Sequence, residues 1–500
     1  MSQYWILAAI GLPVLGSLLI PMVPFRTRKT MCLYIETLVL ATSVIVGLLL
    51  AGGRTQVFEV VHFVNDLSIS FKIDGMTMVF AGLIALLWPL ATLYAFEYME
   101  HEGHEKPFFM FYTMTYGVTL GIAFASDMVT MYFFYELLTL VTMYFFYELL
   151  TLVTVPLVMH ALNRESILAV RKYLYYSIGG AAFALMGMIF LIIYGETCEF
   201  TLGGVMSGTV LAQHRDLLLW IYFFSFMGFG VKAAVFPMSS WLPQAGVAPT
   251  PVTALLHAVA VVNAGAFAIL RLTYYSFGAD FLRGTWAQDA SMALAMVTIV
   301  YGCSQAVKET HIKRRLAWST VSNLSYILFG ATMMTPLGMV GALSHFVFHG
   351  FMKICSFLCA GAFMHQTGKT HVYHMDGMGK RMKIVFGCFT VSALGLMGVP
   401  GLAGFISKWN LTAAAVESGN VLAYGGIGCL MLSALLTAIY MLNVVVRAYF
   451  PKAQTETEAV GDPGWRMCLP LLVCAFCVIL LGFCSAPLID FFRAVALGME

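Results

Sequence analysis

Five hundred residues that are 60% hydrophobic and only 10% charged are not a soluble composition, because globular chains carry about 25% charged residues. A formal net charge of +2 and a mean hydropathy of +0.85 exclude a soluble enzyme, a nucleic-acid-binding protein and a disordered scaffold. Apolar stretches of the roughly 20 residues needed to cross a bilayer recur from end to end, so the chain reads as an all-α polytopic membrane protein.

In chain order the predicted spans fall near 3–23, 31–51, 76–98, 107–126, 128–160, 166–194, 217–238, 250–275, 291–308, 314–336, 338–366, 383–414, 421–449 and 467–494. That is about fourteen helices, joined by loops too short for a soluble domain. The first run follows the start directly, without a basic n-region or an A-x-A site, and reads as a retained helix. One set of loops collects Arg26, Arg28, Lys29, Lys106, Arg164, Lys313, Arg314, Arg315, Lys369, Lys380, Arg381 and Lys452. The other set holds little beyond Arg54, Arg215 and Arg283. The basic side is expected to be cytoplasmic in an inner (plasma) membrane, with both termini outward. The eleven Cys are scattered, and Cys474 with Cys477 reads as helix packing. Neither haem-attachment nor zinc spacing occurs, so no cofactor and no metal is expected.

The fifth span carries an anomaly: residues 131–142 read MYFFYELLTLVT, and residues 143–154 repeat that string identically. Real structural repeats diverge and stack in longer units, so this reads as a recent tandem duplication or an error in the gene model, not as a structural repeat. On a straight helix the copies stand about 18 Å and about 120° apart, and Glu136 and Glu148 cannot share one site.

Ionisable residues deep in apolar spans cost about 2.5–3.5 kcal/mol each on insertion scales, which makes them functional candidates. Lys232, in FMGFGVKAAVFP of the seventh span, precedes the helix breaker Pro237. Lys408, in GVPGLAGFISKWN of the twelfth, follows Gly398, Pro400 and Gly401. Two spans five apart thus each join a Gly/Pro interruption to a lysine, a pattern expected of inverted-topology repeats around an ion path. Glu148, or its copy Glu136, is the acid that a lysine in an apolar helix needs; separating the two would release the lysine's proton. A static buried ion pair is the plainer alternative. His257 lies on the eighth span, and His345, His349 and Lys353 lie on the eleventh at i, i+4, i+8, on one face. Imidazoles pass protons through either ring nitrogen. Glu36, Asp74, Glu97 and Asp127 sit near helix ends and read as interfacial.

The strings FYELLTL, GFGVKAAVFPMSSWLPQAGVAPTPVTALLHA, HIKRRLAWSTVSNLSYI, HFVFHGFMKICSFLCAGA, HMDGMGKRM and GLMGVPGLAGFISKW carry a family resemblance over residues 70 to 450. The chain resembles the antiporter-like subunits of respiratory complex I and of Mrp-type cation/proton antiporters, and most of all the Mrp D subunit and its relatives in membrane-bound hydrogenases. The resemblance implies fourteen helices, two inverted five-helix repeats and broken seventh and twelfth helices. It divides the chain into N-terminal helices (1–106), a first repeat (107–277), a second repeat (291–450) and a last helix (466–500). It also implies a charged axis at mid-membrane: Glu148 (alternatively Glu136), Lys232, His257, His345, His349, Lys353 and Lys408. Two features depart from the pattern. The duplication puts the fifth-span acid in doubt, and Asn263 stands where relatives often carry a lysine, leaving His257 more of the central transfer.

The function expected is therefore H+ translocation within a multisubunit complex, with other membrane subunits as partners and Na+ as a possible counter-ion. The rivals are a redox-driven pump module, separable by gene neighbourhood; a haem-carrying oxidoreductase subunit using His257, separable by a Soret band; and a membrane anchor with vestigial charges.

Overall fold

The computed structural model describes residues 4–64, 67–141, 164–451 and 460–499. Helices dominate: α1 (Tyr4–Met22), α2 (Arg28–Ala51), α3 (Gly75–Tyr98), α4 (Glu105–Phe124), α5 (Met128–Val141), α6 (Arg164–Tyr194), α7 (Arg215–Lys232), α8 (Thr250–Ala258) and α9 (Val261–Leu270) form the first half. The second comprises α10 (Trp286–Lys308), α11 (Ile312–Thr332), α12 (Pro336–Thr367), α13 (Lys383–Met397), α14 (Ala403–Glu417), α15 (Val421–Tyr449), α16 (Trp465–Phe483) and α17 (Ala486–Leu497). Among the described residues ten helices are long and apolar enough to cross a membrane. The spans predicted at 128–160, 217–238, 314–336 and 383–414 are not among these ten, because their helices are interrupted, more polar or only partly described.

Side-chain polarity sorts the helices by depth. α1, α2, α15 and α16 carry apolar side chains turned outward, among them Leu15, Val44, Met431 and Phe476, as a lipid-facing rim requires. α8, α9 and α12 are buried nearly throughout. α12 is the 32-residue centre of one half, packed against α8, α11, α13, α14 and α16. In the other half α7 packs against α6 and α9. The halves meet where α8 touches α12 and α9 touches α11.

Two features differ from the all-helical expectation. Residues between α2 and α3 form an antiparallel hairpin, β1 (Phe58–Val64) and β2 (Leu67–Phe71), with Phe58 opposite Phe71 and Val61 opposite Ile69. Its strands are rich in Val, Ile and Phe but too short to read as a span, and cross-strand partners supply what local pattern does not. The hairpin is tied to the α4–α5 junction by Lys72 N to Phe124 O (2.9 Å) and Ser126 N to Ser70 O (3.1 Å). The last predicted span (467–494) is two helices: α16 ends at Phe483, and Pro487 in the first turn of α17 starts a new one. All eleven cysteines are free thiols, Cys474 and Cys477 included.

Candidate functional site

Three interruptions of the helical backbone build the site. The first ends α7 at Lys232, where Ala234 turns into the left-handed region (φ 57°). Carbonyls freed inside an apolar interior need donors. Here Val235 N reaches Gly230 O at 2.9 Å and Trp241 Nε1 reaches Val231 O at 2.9 Å. Pro237 lies in the irregular stretch that follows, and its neighbour Phe236 donates its N–H to Thr298 Oγ1 at 3.0 Å. Lys232 is left buried, with Nζ 3.2 Å from the centroid of the Tyr135 ring and donating to the Tyr135 carbonyl on α5. The next residue on α5 is Glu136, whose carboxyl acts electrostatically on Lys232 while its Oε1 is buried without a hydrogen-bond partner.

The second interruption falls in the eighth span and was not expected. α8 stops at Ala258; Val259 (φ −140°, ψ −48°) and Ala260 (φ −77°, ψ −93°) leave helical geometry before α9 begins. His257 therefore sits at the end of α8, its ring stacked on Phe357 of α12 at 4.5 Å, with both ring nitrogens buried and unbonded.

The third interruption separates α13 from α14. Gly398 (φ 89°) and Gly401 (φ 88°) flank Pro400, in conformations that β-carbon-bearing residues seldom adopt. Lys408, on α14, reaches back to cap α13, donating to Leu396 O (2.7 Å) and Met397 O (3.0 Å). Its Nζ lies 5.4 Å from the Tyr326 ring centroid on α11.

α12 runs between these interruptions. His345 Nδ1 and Ser407 Oγ share a hydrogen bond of 2.9 Å, and its ring lies 5.0 Å from that of Tyr326 and 5.8 Å from that of His349. One helical turn further, Lys353 Nζ donates to Ser319 Oγ (2.7 Å) and Leu316 O (3.1 Å), and Tyr440 donates to the same Ser319 oxygen at 2.6 Å. Electrostatics links the members in order. His257 is influenced by Lys353; His349 by His345, Lys353 and His257; His345 by Lys408 and Lys353. His345 Nε2 and both nitrogens of His349 are also buried without partners. Buried polar atoms rarely stay unpaired, and several together along one line mark where ordered water belongs.

Lys232, His257, His345, His349 and Lys353 are thus buried and Lys408 is half-buried, and the charges of Lys353 and Lys408 act on the neighbouring imidazoles. Of the two candidate acids, Glu136 faces Lys232, whereas Glu148 lies outside the described residues.

The residues read as interfacial are mostly structural. Asp127 accepts from Thr130 N (2.7 Å) and Ser70 Oγ at the start of α5. Glu97 accepts from Gly464 N at 2.6 Å. Asp74 caps α3 through Thr77 N (2.9 Å) and takes the fork of Arg271, NH1 and NH2 each at 2.7 Å. Sequence reasoning passed over Arg271. It sits fully buried at the start of a π-helical stretch, Arg271–Phe277, against the rings of Phe200, Phe267 and Tyr275. The available signal was an arginine at the end of the apolar 250–275 run. Burial raises the Asp74 carboxyl, but Arg271, Lys72 and the Thr77 N–H outweigh it and hold the group at about 2. Glu36 keeps a buried, unbonded Oε2 on α2.

A helical membrane bundle with interrupted helices and a buried Lys/His series defines a class of ion-handling membrane proteins. Comparison with known proteins makes the class specific. Residues 137–437 match the family model described as NADH:quinone oxidoreductase/Mrp antiporter, and residues 62–109 match that of the NADH-ubiquinone oxidoreductase (complex I) chain 5 N-terminus. The chain belongs to the NADH:quinone oxidoreductase/Mrp antiporter family of membrane subunits. NADH-quinone oxidoreductase subunit N of Desulforudis audaxviator is 27% identical over 437 residues, covering 84% of this chain and 83% of its own. An NAD(P)H-quinone oxidoreductase chain 4 of Picosynechococcus is 27% identical over 485 residues, covering 92% and 82%. The fold matches a chain of the Mrp complex from Dietzia sp. with TM-score 0.83 at 19% identity, covering 99% of this chain and 97% of that one. It also matches a chain of an archaeal membrane-bound sulfane sulfur reductase, with TM-score 0.84 at 19% identity and the same coverage.

Proposed function

We propose that this chain is the proton-translocating subunit of a multisubunit membrane complex, and that H+ moves along Glu136, Lys232, His257, His349, His345, Lys353 and Lys408. The observation that carries the reading is the run of buried imidazole nitrogens without hydrogen-bond partners, in a bundle that also carries the buried Lys232 and the half-buried Lys408 at its helix interruptions. A static packing role would leave each imidazole bonded to the protein. A proton relay needs the opposite: acceptors left open to water on both sides.

The steps follow from charge and solvation. A carboxylate at Glu136 stabilises the Lys232 ammonium; withdrawing it leaves a positive charge in apolar surroundings, and the proton leaves for the nearest water. His257, His349 and His345 accept and donate in turn, and Lys408 receives the proton at the far interruption. Lys353, anchored by Ser319 Oγ and Leu316 O, is the member of the row between the imidazoles and Lys408, and its charge also acts on the imidazoles.

The two five-helix repeats (107–277 and 291–450) gain support from a pairing that spacing alone did not suggest. Lys232 lies over Tyr135 of the fifth span, and Lys408 faces Tyr326 of the tenth. Under the repeat, the fifth corresponds to the tenth and the seventh to the twelfth, so each half supplies the same lysine-on-tyrosine element. Fourteen crossings with both termini outward in an inner membrane complete the proposed topology.

A second reading concerns only the driving force. The curated relatives quoted are subunits of quinone oxidoreductases, which favours redox drive; the Mrp likeness favours exchange against a cation such as Na+. In the first case the energy comes from electron transfer in partner subunits, and in the second from the gradient of the exchanged cation. The test is Lys232→Ala in the reconstituted complex. Proton transport should disappear while the subunits still co-purify; transport at the unaltered rate would overturn the reading.

A further inference from the structure

The relay leaves one group of buried nucleophiles unused. Five of the eleven free thiols stand on three neighbouring helices: Cys355 and Cys359 on α12, Cys388 on α13, and Cys474 and Cys477 on α16. Cys355 Sγ donates to the carbonyls of Cys388 (3.6 Å) and Leu471 (3.8 Å), which places it where the three helices meet. One turn along, Ser392 donates to Met352 O at 2.6 Å, and a β-carbon on Gly395 would stand 2.9 Å from the Met352 sulfur. Positions 352, 355 and 359 follow i, i+3, i+7, so α12 turns a line of sulfur atoms toward this junction. The adjoining face of the same helix carries His349 and Lys353.

Cys355 and Cys359 are 0% and 1% exposed. They are one helical turn apart on one face and interact directly, while Cys388 and Cys474 act on Cys359 only through their charge. Two thiols in contact, in an apolar interior, select their ligand by charge. A soft metal cation suits sulfur but would carry its charge into the bundle. A trivalent arsenical suits sulfur equally and stays neutral. Its oxygen leaves as water: two As–S bonds form, the bonds from arsenic to oxygen break, both thiol protons go to that oxygen, and arsenic remains trivalent. The second As–S bond closes within one site, so the pair holds the group far more firmly than either thiol alone. A lipid-soluble reagent has a side to enter from, because α16 belongs to the lipid-facing rim and Cys477 is half-exposed on it.

We propose that Cys355 and Cys359 are a buried dithiol site for a neutral trivalent arsenical, and that filling it slows proton transport. The second part rests on the transport reading above; the first does not. An added phenylarsenic group overfills a packed junction and displaces α12 beside His349 and Lys353, and α13, whose last carbonyls hold Lys408.

The test treats the whole complex, in sealed vesicles, with phenylarsine oxide and maps this chain by mass spectrometry. The expected result is one phenylarsenic group per chain, bridging Cys355 and Cys359, removed by ethanedithiol and retained in a monothiol. Cys359→Ala should weaken labelling by about a hundredfold, the scale that a linked second contact adds, and Cys474→Ala should leave it unchanged. Labelling that survives Cys359→Ala, or that is lost in Cys474→Ala, would overturn the site. Should Cys359→Ala fail to assemble, the unaltered chain decides, since a bridge mapped to any other pair also overturns it. Transport should fall by about tenfold or more at full occupancy, the low end of what overpacking a core costs, and resist the reagent in Cys359→Ala. An unchanged rate at full occupancy would overturn the second part. A complex that moves no protons before treatment would overturn the transport reading, and the mass map would still decide the site.

Discussion

Glu136 and Lys232 interact without a direct hydrogen bond, and one carboxylate oxygen stays unbonded in the interior. A structural ion pair would close that space and satisfy both groups, because a buried pair repays its desolvation only when fully bonded. The open arrangement suits a pair whose separation changes. Glu136→Gln keeps the shape and removes the charge that stabilises the Lys232 ammonium, so transport should fall by about tenfold or more, the scale of a lysine pKa moved by about one unit. Glu148→Gln should leave the rate near that of the parent. Vesicle acidification assays on the two variants check this, and the reverse ranking would move the acid to the second copy. At this scale the sequence was informative wherever an ionisable residue stood alone in an apolar run, as Lys232, His257 and Lys408 do. It was silent on Arg271, because an arginine at the end of an apolar run looks interfacial until its partner Asp74, far away in sequence, is brought to it.

The element scale divides the three interruptions by cause. Those after Lys232 and Met397 were legible because Pro237, Gly398 and Pro400 announce them. The one at Val259 was not, since Val-Ala carries no local breaker. It exists through tertiary contacts: the Asn263 amide on the Ala258 carbonyl and the close packing of Gly265 on α7. Gly265→Ala should therefore push the end of α7 away, lowering transport while the subunits still co-purify; an unchanged rate would mean that the contact gives without consequence. The hairpin escaped for a similar reason, since strands need partners that a window of sequence does not include. A different element depends on the Asp74–Arg271 fork, which joins the start of α3 to the π-helical stretch. The folded carboxyl, at about 2, lies below its ordinary 3.8. Its stabilisation is complete above 3.8 and fades as pH falls toward 2. Asp74→Asn should destabilise the folded chain at pH 7 by about 3 kcal/mol, as removal of one partner of a buried pair does. In detergent the difference in unfolding from the parent should shrink below pH 4; a difference that does not vary with pH would contradict the role.

For the whole molecule, composition alone identified a polytopic membrane chain, and apolar run length identified most of the helices. The proposed repeat relation was less visible, because the observation that supports it, Tyr135 and Tyr326 each facing a lysine, forms only in three dimensions. The tandem copy bears on this scale too. Because residues 131–142 and 143–154 are identical, deleting either gives the same chain, with one FYELL acid retained at position 136. That shortened chain should assemble and transport protons at the parental rate, as read by co-purification and vesicle acidification; loss of transport would make the second copy functional.

Lys232, buried, and Lys408, half-buried, are proposed to bound a hydrated relay that crosses both halves. The most direct test is proton transport by the reconstituted complex carrying Lys232→Ala and Lys408→Ala together. The double variant should assemble and move no protons above the level of empty vesicles, and transport at the parental rate would contradict the relay.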